Sequence, residues 1–393
     1  MGAAPDQARD MTPGHARIAI VGGGLAGLVA AWRLVQQGVR DIVLFEARTT
    51  LGGRILSVDA TGLGVDLATL ALDRFDLGPS WFWPAAQPQL DRLISELGLQ
   101  RFGPFEDGDL LVERSMQTPP LRAQAYGSEP PSMRLAGGTG ALVTSLQARL
   151  DPVLLRTGQT VRRLRREAQR VELTVADAAG KATVWHVEHV LLALPPRLAV
   201  SSLQFEPALP PELSRRWQAT PTWMAPHAKY VAVYDTPFWR EQGLSGSARS
   251  SVGPMGEIHD VSMPGGHAAL FGFLGVPARL RRQTPDEVLR THCRAQLVRL
   301  FGLRARAPVG EALKDWASDP LTATADDQDA AGHHAAAPPR SADAGAWQGR
   351  LVGIGSEWSQ QFPGYLAGAV DGAESGLREA LSDIARRTQE PAE

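Results

Sequence analysis

The chain has 393 residues, 44% of them hydrophobic, and its 40 Lys and Arg against 42 Asp and Glu leave a net charge of −2. That length exceeds one simple core and predicts two interleaved domains, while the near-balanced charge argues against nucleic acid as a primary partner. A single cysteine, Cys293, excludes an intramolecular disulfide, and no segment offers the ~18 uninterrupted apolar residues of a membrane span.

Residues 1–15 are polar, carry Pro5, Pro13 and Gly14, and lack the apolar core of a signal peptide. They are expected to form a disordered leader on a soluble, cytoplasmic protein. Ala16–Val21 is an apolar, β-branched run of strand length that stops at Gly22-Gly23-Gly24-Leu25-Ala26-Gly27. Leu28, Ala31, Trp32, Leu34 and Val35 then recur on one helical face as far as Gly38, and a second apolar run from Asp41 ends in Glu46. Strand, glycine turn, helix, strand and acid make a dinucleotide-binding βαβ unit. Gly22 supplies the tight turn, Gly24 lets a pyrophosphate approach the backbone, and Gly27 lets the helix lie close to the strand. The helix N-terminus offers free N–H groups and a positive dipole end to phosphate. Glu46 is placed to hold a ribose hydroxyl pair and would repel a 2′-phosphate, which leaves NAD or FAD.

The next motifs are Glu46-Ala47-Arg48 leading into Leu51-Gly52-Gly53-Arg54, and Asp76-Leu77-Gly78-Pro79-Ser80-Trp81. Further on come Gly137-Gly138-Thr139-Gly140, Ala193-Leu194-Pro195-Pro196, the run from Lys229 to Phe238-Trp239, Lys314-Asp315-Trp316, and Gly355-Ser356-Glu357 running into Gly364-Tyr365-Leu366. With these in order along nearly its whole length, the chain resembles the flavin-containing monoamine oxidase family, which includes polyamine oxidases. The resemblance implies an α/β architecture in which a Rossmann-like FAD-binding domain (16–66, 135–203 and 349–393) is interleaved with an α+β substrate-binding domain (67–134 and 204–348). It assigns FAD contacts to Gly22, Gly24, Ala26, Gly27, Glu46, Ala47, Arg48, Gly53, Arg54, Gly78, Pro79, Ser80 and Trp81. Further contacts fall to the backbone of Val161, and to Trp316, Gly355, Ser356, Glu357 and Leu366.

Two catalytic roles follow from the same resemblance. Pattern alone makes Lys229, solitary in the apolar run Ala228–Val233, a surface residue of an alternating strand. In the family the matching lysine reaches the flavin N5 through a water and assists reaction of the reduced flavin with oxygen. Tyr365 opens a helix expected over Leu366–Ile384 and rich in Ala and Gly, and the family's tyrosine there forms one wall of an aromatic sandwich around the substrate amine. Where covalent members carry a cysteine this chain reads Thr322-Ala323-Thr324-Ala325, so the FAD is expected to be non-covalent. Asp326 stands where the second aromatic wall would be. Trp358 or Phe362 is the candidate replacement, and an acid beside the flavin favours a cationic or polyamine-like substrate. Trp81, Trp83, Trp217, Trp223 and Trp239 are expected to line an apolar cavity suited to an aromatic or extended apolar amine.

The expected activity is that of an FAD-dependent oxidase: hydride leaves an amine C–H, the imine hydrolyses to a carbonyl, and O2 is reduced to H2O2. The alternative is a desaturase or dehydrogenase of a biosynthetic intermediate that does not use O2. Remaining features read as structural. Leu154–Val161, Arg170–Val175, Thr183–Val187 and Val190–Leu194 are expected strands, and Arg162, Arg163, Arg165 and Arg166 a solvated edge. Cys293 reads as a buried thiol and His333-His334 as part of a mobile loop. His259 is either a cavity residue or a satisfied structural histidine. Neither histidine site has metal-ligand spacing.

Overall fold

A computed structural model describes residues 14–59, 63, 73–124, 127, 129–328 and 336–389. Ile18–Val21 and Ile42–Glu46 are buried along their whole length, as strands covered on both faces must be. They lie in a five-stranded parallel sheet ordered Leu155–Thr157, Ile42–Glu46, Ile18–Val21, His189–Leu192, Leu351–Gly353. Alternate residues divide between two cores. Ile18, Ile20, Ile42 and Leu44 pack against helices Leu25–Gln36 and Leu366–Gln389. Ala19, Val21, Val43 and Phe45 pack against a second five-stranded sheet, which contains Gln159–Arg166, Val171–Asp177 and Ala182–Val187.

The third sheet has seven strands, ordered Gly310–Asp315, Ala228–Tyr234, Ala268–Leu274, Met255–Asp260, Leu244–Ser250, Asp109–Glu113 and Leu121–Gln124. Helix Asp286–Phe301 covers one of its faces, where Cys293 is buried beside Tyr230 and Tyr234. Burial pushes the Cys293 thiol up to about 12, as an inert structural thiol requires. Val231 and Val233 look the other way, toward Phe75, Leu77 and Trp81. Lys229 shares their parity, so the sheet delivers it to the side facing the nucleotide half.

Several sequence expectations change. The expected strand Leu154–Val161 is two strands in two different sheets. The break is at Gly158, whose φ of 66° turns the chain through a conformation that a β-branched residue would resist. Gly14 and His15, expected within the leader, form a strand paired with Trp185 and His186; residues 1–13 lie outside the described residues. The expected boundary at 66–67 and His333-His334 also lie outside them. Helix Pro88–Glu96, expected on the substrate side, buries Leu90, Leu93 and Ile94 among the nucleotide-half residues Leu28 and Val370. Leu209, Leu213, Trp217 and Trp347 likewise join the second nucleotide-half core. Within the arginine edge Arg163 and Arg165 hold Glu172, while Arg165 and the nearby Arg170 hold Glu167. Glu167, Glu172 and His186 come close enough to share an ion, but these guanidinium groups already neutralise the acids. No helix of the described residues is long and apolar enough to cross a membrane.

Candidate active site

The glycine turn lies at one end of a cavity of about 370 Å³ between the parallel sheet and the seven-stranded sheet. Gly22 has a φ of 110°, which few other residues adopt. No side chain caps helix Leu25–Gln36, and its first turn holds no acid, so its leading N–H groups and positive dipole end are left for an anion. A Cβ on Gly24 would have only Gly52 O and Gly53 Cα near it, at 3.8 and 3.9 Å. Glu46 closes the turn: one carboxylate oxygen accepts from Gly23 N at 2.7 Å and the other from Arg48 N at 2.8 Å. Each oxygen keeps a lone pair for a ribose hydroxyl. Open N–H groups, a bare glycine surface and a half-used carboxylate fit the nucleotide half of FAD.

Of the expected cofactor contacts, Gly22, Gly24, Ala26, Glu46, Arg48, Gly53, Arg54, Gly78, Pro79, Ser80, Trp81, Trp316, Gly355, Ser356 and Leu366 all line this cavity. Gly27, Ala47, Val161 and Glu357 do not. Gly27 acts by packing, since a Cβ there would stand 2.0 Å from Gly22 O. The Val161 side chain is buried in the second nucleotide-half core, and the contact expected of this residue is through its backbone. Glu357 lies behind the wall, gripping Arg54 through both oxygens at 2.5 and 2.9 Å. Burial alone would raise the Glu357 carboxyl, but the Arg54 charge and its hydrogen bonds outweigh that and hold it below the usual range.

Both expected catalytic residues line the cavity. Lys229 belongs to a strand flanked on both sides, Ala228–Tyr234, and is 2% exposed, so the surface reading of the pattern fails. Its Nζ donates to Ser80 Oγ at 2.7 Å and Gly78 O at 3.0 Å, and sits 4.0 Å from the Phe271 ring centroid. Burial drives its ammonium down to about 7; Asp76 opposes the shift and Arg134 adds to it.

Tyr365 has Trp223 6.0 Å away, tilted by 35°, and Trp83 edge-on at 6.4 Å. A substrate between two parallel rings needs roughly twice the ~3.5 Å contact distance, so Trp223 and Tyr365 form a continuous face instead of a sandwich. Asp326 is not a wall at all. It is exposed, lies outside the cavity, and accepts from Gln218 Nε2 at 2.8 Å. Its neighbour Asp327 is the buried member, holding Arg197 Nη1 at 2.6 Å and Thr222 N at 3.0 Å. Neither suggested substitute reaches the cavity. Trp358 packs on Trp217, and Phe362 lies against the first nucleotide-half core. Of the five tryptophans expected there, Trp81, Trp83 and Trp223 line the cavity. Trp217 and Trp239 instead spend their indole N–H groups on Pro339 O and Asp260. His259 is structural, stacked on Phe271 and bonded to Glu257.

Apart from Trp223, sequence reasoning missed the segment Thr222–His227. Trp223 N donates to Glu357, and Trp223 O accepts from Arg54 Nη1 at 3.3 Å, so the backbone on both sides of this ring is held by one ion pair. Met224, at φ 62°, is the non-glycine residue with positive φ among the described residues, and it lines the cavity with His227 and Phe273. A strained residue beside a cavity is a mark of a functional site. Pro221, just before the segment, and Pro226 within it were the available signal.

The comparisons with known proteins agree with this geometry. Residues 102–381 match the family of flavin containing amine oxidoreductases, and residues 20–97 match an NAD(P)-binding Rossmann-like domain. A Mycobacterium tuberculosis protein assigned as a flavin-containing monoamine oxidase, AofH, is 25% identical over 92% of this chain and 95% of its own. Cyclohexylamine oxidase from Brevibacterium oxydans superposes with a TM-score of 0.75 at 19% identity, over 94% of this chain and all of that one. A putrescine oxidase variant superposes at 0.74 and 20% identity, over 95% of this chain and all of its own. With a family match across most of its length and a cavity built to hold a dinucleotide against an aromatic face, the chain belongs to the flavin-containing amine oxidoreductases, FAD-dependent enzymes that act on amines.

Proposed function

We propose that the protein is an oxidase of apolar monoamines that holds its FAD without a covalent bond and uses O2 as the electron acceptor. The observation that carries the substrate class is the charge of the cavity wall. Among the described lining residues Glu46 alone bears a carboxylate, and it is tied into the glycine turn. A diamine such as putrescine would leave its second ammonium without an anionic partner, and a buried unpaired charge is costly. The aromatic face of Trp83, Trp223 and Tyr365 suits a ring or a branched alkyl body, closer in kind to cyclohexylamine. Non-covalent attachment is supported by Cys293, the chain's one cysteine, lying under helix Asp286–Phe301 and outside the cavity.

When bound, FAD supplies the hydride acceptor for the amine carbon and the two electrons that reduce O2 to H2O2. The chain's own groups do the rest. The glycine turn and the helix N-terminus hold the pyrophosphate, and Glu46 holds the ribose. Trp223 and Tyr365 orient the amine and exclude water from one side of it. Lys229, titrating near 7, can hold or release a proton at Nζ beside the cavity as oxygen is reduced. Reconstitution with FAD followed by anaerobic addition of cyclohexylamine should bleach the flavin, and admitting air should restore it with one peroxide formed per turnover. Bleaching by putrescine in preference to cyclohexylamine would overturn the substrate class. Bleaching with no peroxide on aeration would replace the oxidase reading with a dehydrogenase.

A further inference from the structure

His227 has no role in the reading above, yet it lines the cavity two residues before Lys229. Its ring lies edge-on to Phe273, at 6.4 Å between centroids, and its backbone is fixed at both ends. His227 N donates to Met224 O at 3.1 Å, and His227 O accepts from Trp316 N at 3.0 Å. The Nδ1 atom is shielded from solvent and makes no hydrogen bond among the described residues. The Met224 backbone, in the strained turn, is placed to accept from an imidazole N–H and works to raise the ring's titration, against burial and the Arg281 charge, which lower it. Three other polar side chains of the wall are engaged: Ser80 with Lys229, Ser356 with Arg54, and Thr322 with Arg48. The Arg281 guanidinium, paired with Asp315 and bonded to Pro226 O, faces the imidazole. Burial and that charge keep the ring neutral, with one nitrogen a donor and the other an acceptor.

We infer that His227 is a substrate-contacting residue whose uncharged imidazole accepts a hydrogen bond from the N–H of the bound amine. An apolar cavity that binds a small amine must still satisfy the amine's N–H, and a neutral ring nitrogen does so without adding charge. The contact would fix how the nitrogen is turned against the Trp223 and Tyr365 face, which makes His227 a determinant of selectivity between amines that carry N–H groups and amines that do not. This inference rests on the amine-oxidising reading, and its test is chosen to fail separately from it.

The probes are benzylamine and N,N-dimethylbenzylamine, both used above their own titration so that the neutral amine predominates and only the first carries N–H. Binding is read anaerobically from quenching of protein tryptophan fluorescence, which needs no turnover, since Trp81, Trp83 and Trp223 line the same cavity. His227→Leu should weaken benzylamine about 3- to 10-fold, the span of one neutral hydrogen bond, and leave dimethylbenzylamine within about twofold. His227→Gln, which restores a neutral acceptor, should recover most of the loss. Equal weakening of both amines by His227→Leu, or of neither, would overturn the hydrogen-bonding role while leaving the enzyme an amine oxidase. Failure of the wild-type protein to bind either amine would overturn the functional reading itself and this inference with it.

Discussion

The two ends of the cavity are built on opposite principles. At the nucleotide end the working groups are backbone N–H groups, bare glycine surfaces and one acid, nearly all contributed by a continuous stretch from Gly22 to Arg54. At the amine end Trp83, Trp223, His227, Lys229, Phe273 and Tyr365 come from segments far apart in the chain. The first end binds through the shape the chain takes locally, which glycine spacing dictates. The second depends on side chains that only the tertiary fold brings together. Substitutions at the first should therefore act through conformation and close approach, and at the second through the chemistry of single groups.

The largest effect is expected inside the glycine turn, where two neighbouring glycines separate packing from ligand contact. Gly27→Ala places a Cβ 2.0 Å from the backbone oxygen of Gly22, which has nowhere to move. It should cost at least about 3 kcal/mol and be seen as loss of the folded protein in thermal unfolding. Gly24→Ala meets its nearest protein atoms at 3.8 Å, ordinary contact, and Gly24 already has a φ of −74° that alanine tolerates. The apoprotein should unfold as wild type does, whereas FAD retention should fall by roughly tenfold or more because the new methyl stands where the backbone must meet the pyrophosphate. Unchanged FAD affinity in Gly24→Ala would remove the pyrophosphate from that surface.

At the other end Lys229→Met removes one charge and keeps the length of the side chain. Flavin reduction by amine should stay within about tenfold of wild type, and reoxidation by O2 should slow by roughly 10²-fold, both read by stopped flow. The same variant tests the buried ammonium in the apoprotein. The Lys229 ammonium titrates near 7 when folded, against 10.5 ordinarily, so between those values the unfolded chain binds more protons than the native one. Wild-type stability should therefore rise with pH across that window and level off below 7, where both states carry the proton, and Lys229→Met should lack this slope. Identical pH profiles for the two proteins would mean that Lys229 is not buried in its charged form.

How much of this was legible follows from the same contrast. The βαβ unit and its glycine, acid and arginine contacts could be read residue by residue, because each is a local demand of the backbone. Lys229 looked like a surface residue because a single lysine in an apolar run cannot reveal that strands pair on both sides of it. Trp217 and Trp239 were counted with the cavity because composition does not say which face a tryptophan takes. Thr222–His227 carried no family motif. Its role comes from two distant ion pairs, Arg54 with Glu357 and Arg197 with Asp327, that meet around its backbone.

The finest test of the comparison sets Trp223 against Asp326, the residue actually on the aromatic face against the one that the family resemblance placed there. Trp223→Ala leaves its backbone N–H and C=O in place for Glu357 and Arg54, so the ion pair and the turn at Met224 should survive. What disappears is a ring beside Tyr365 at 6.0 Å, and with it both the apolar contact to the amine and one support of the tyrosine's orientation. Such a loss should lower kcat/KM for cyclohexylamine by about tenfold, near 1.4 kcal/mol, with the flavin spectrum unchanged. Asp326→Ala removes an exposed carboxylate whose partner is Gln218, well outside the cavity wall, and should leave kcat/KM within about twofold. If Asp326→Ala proved the more damaging of the two, the loop after Trp316 would have to fold over the amine in the working enzyme. The aromatic face described for Tyr365 and Trp223 would then be only part of the substrate site.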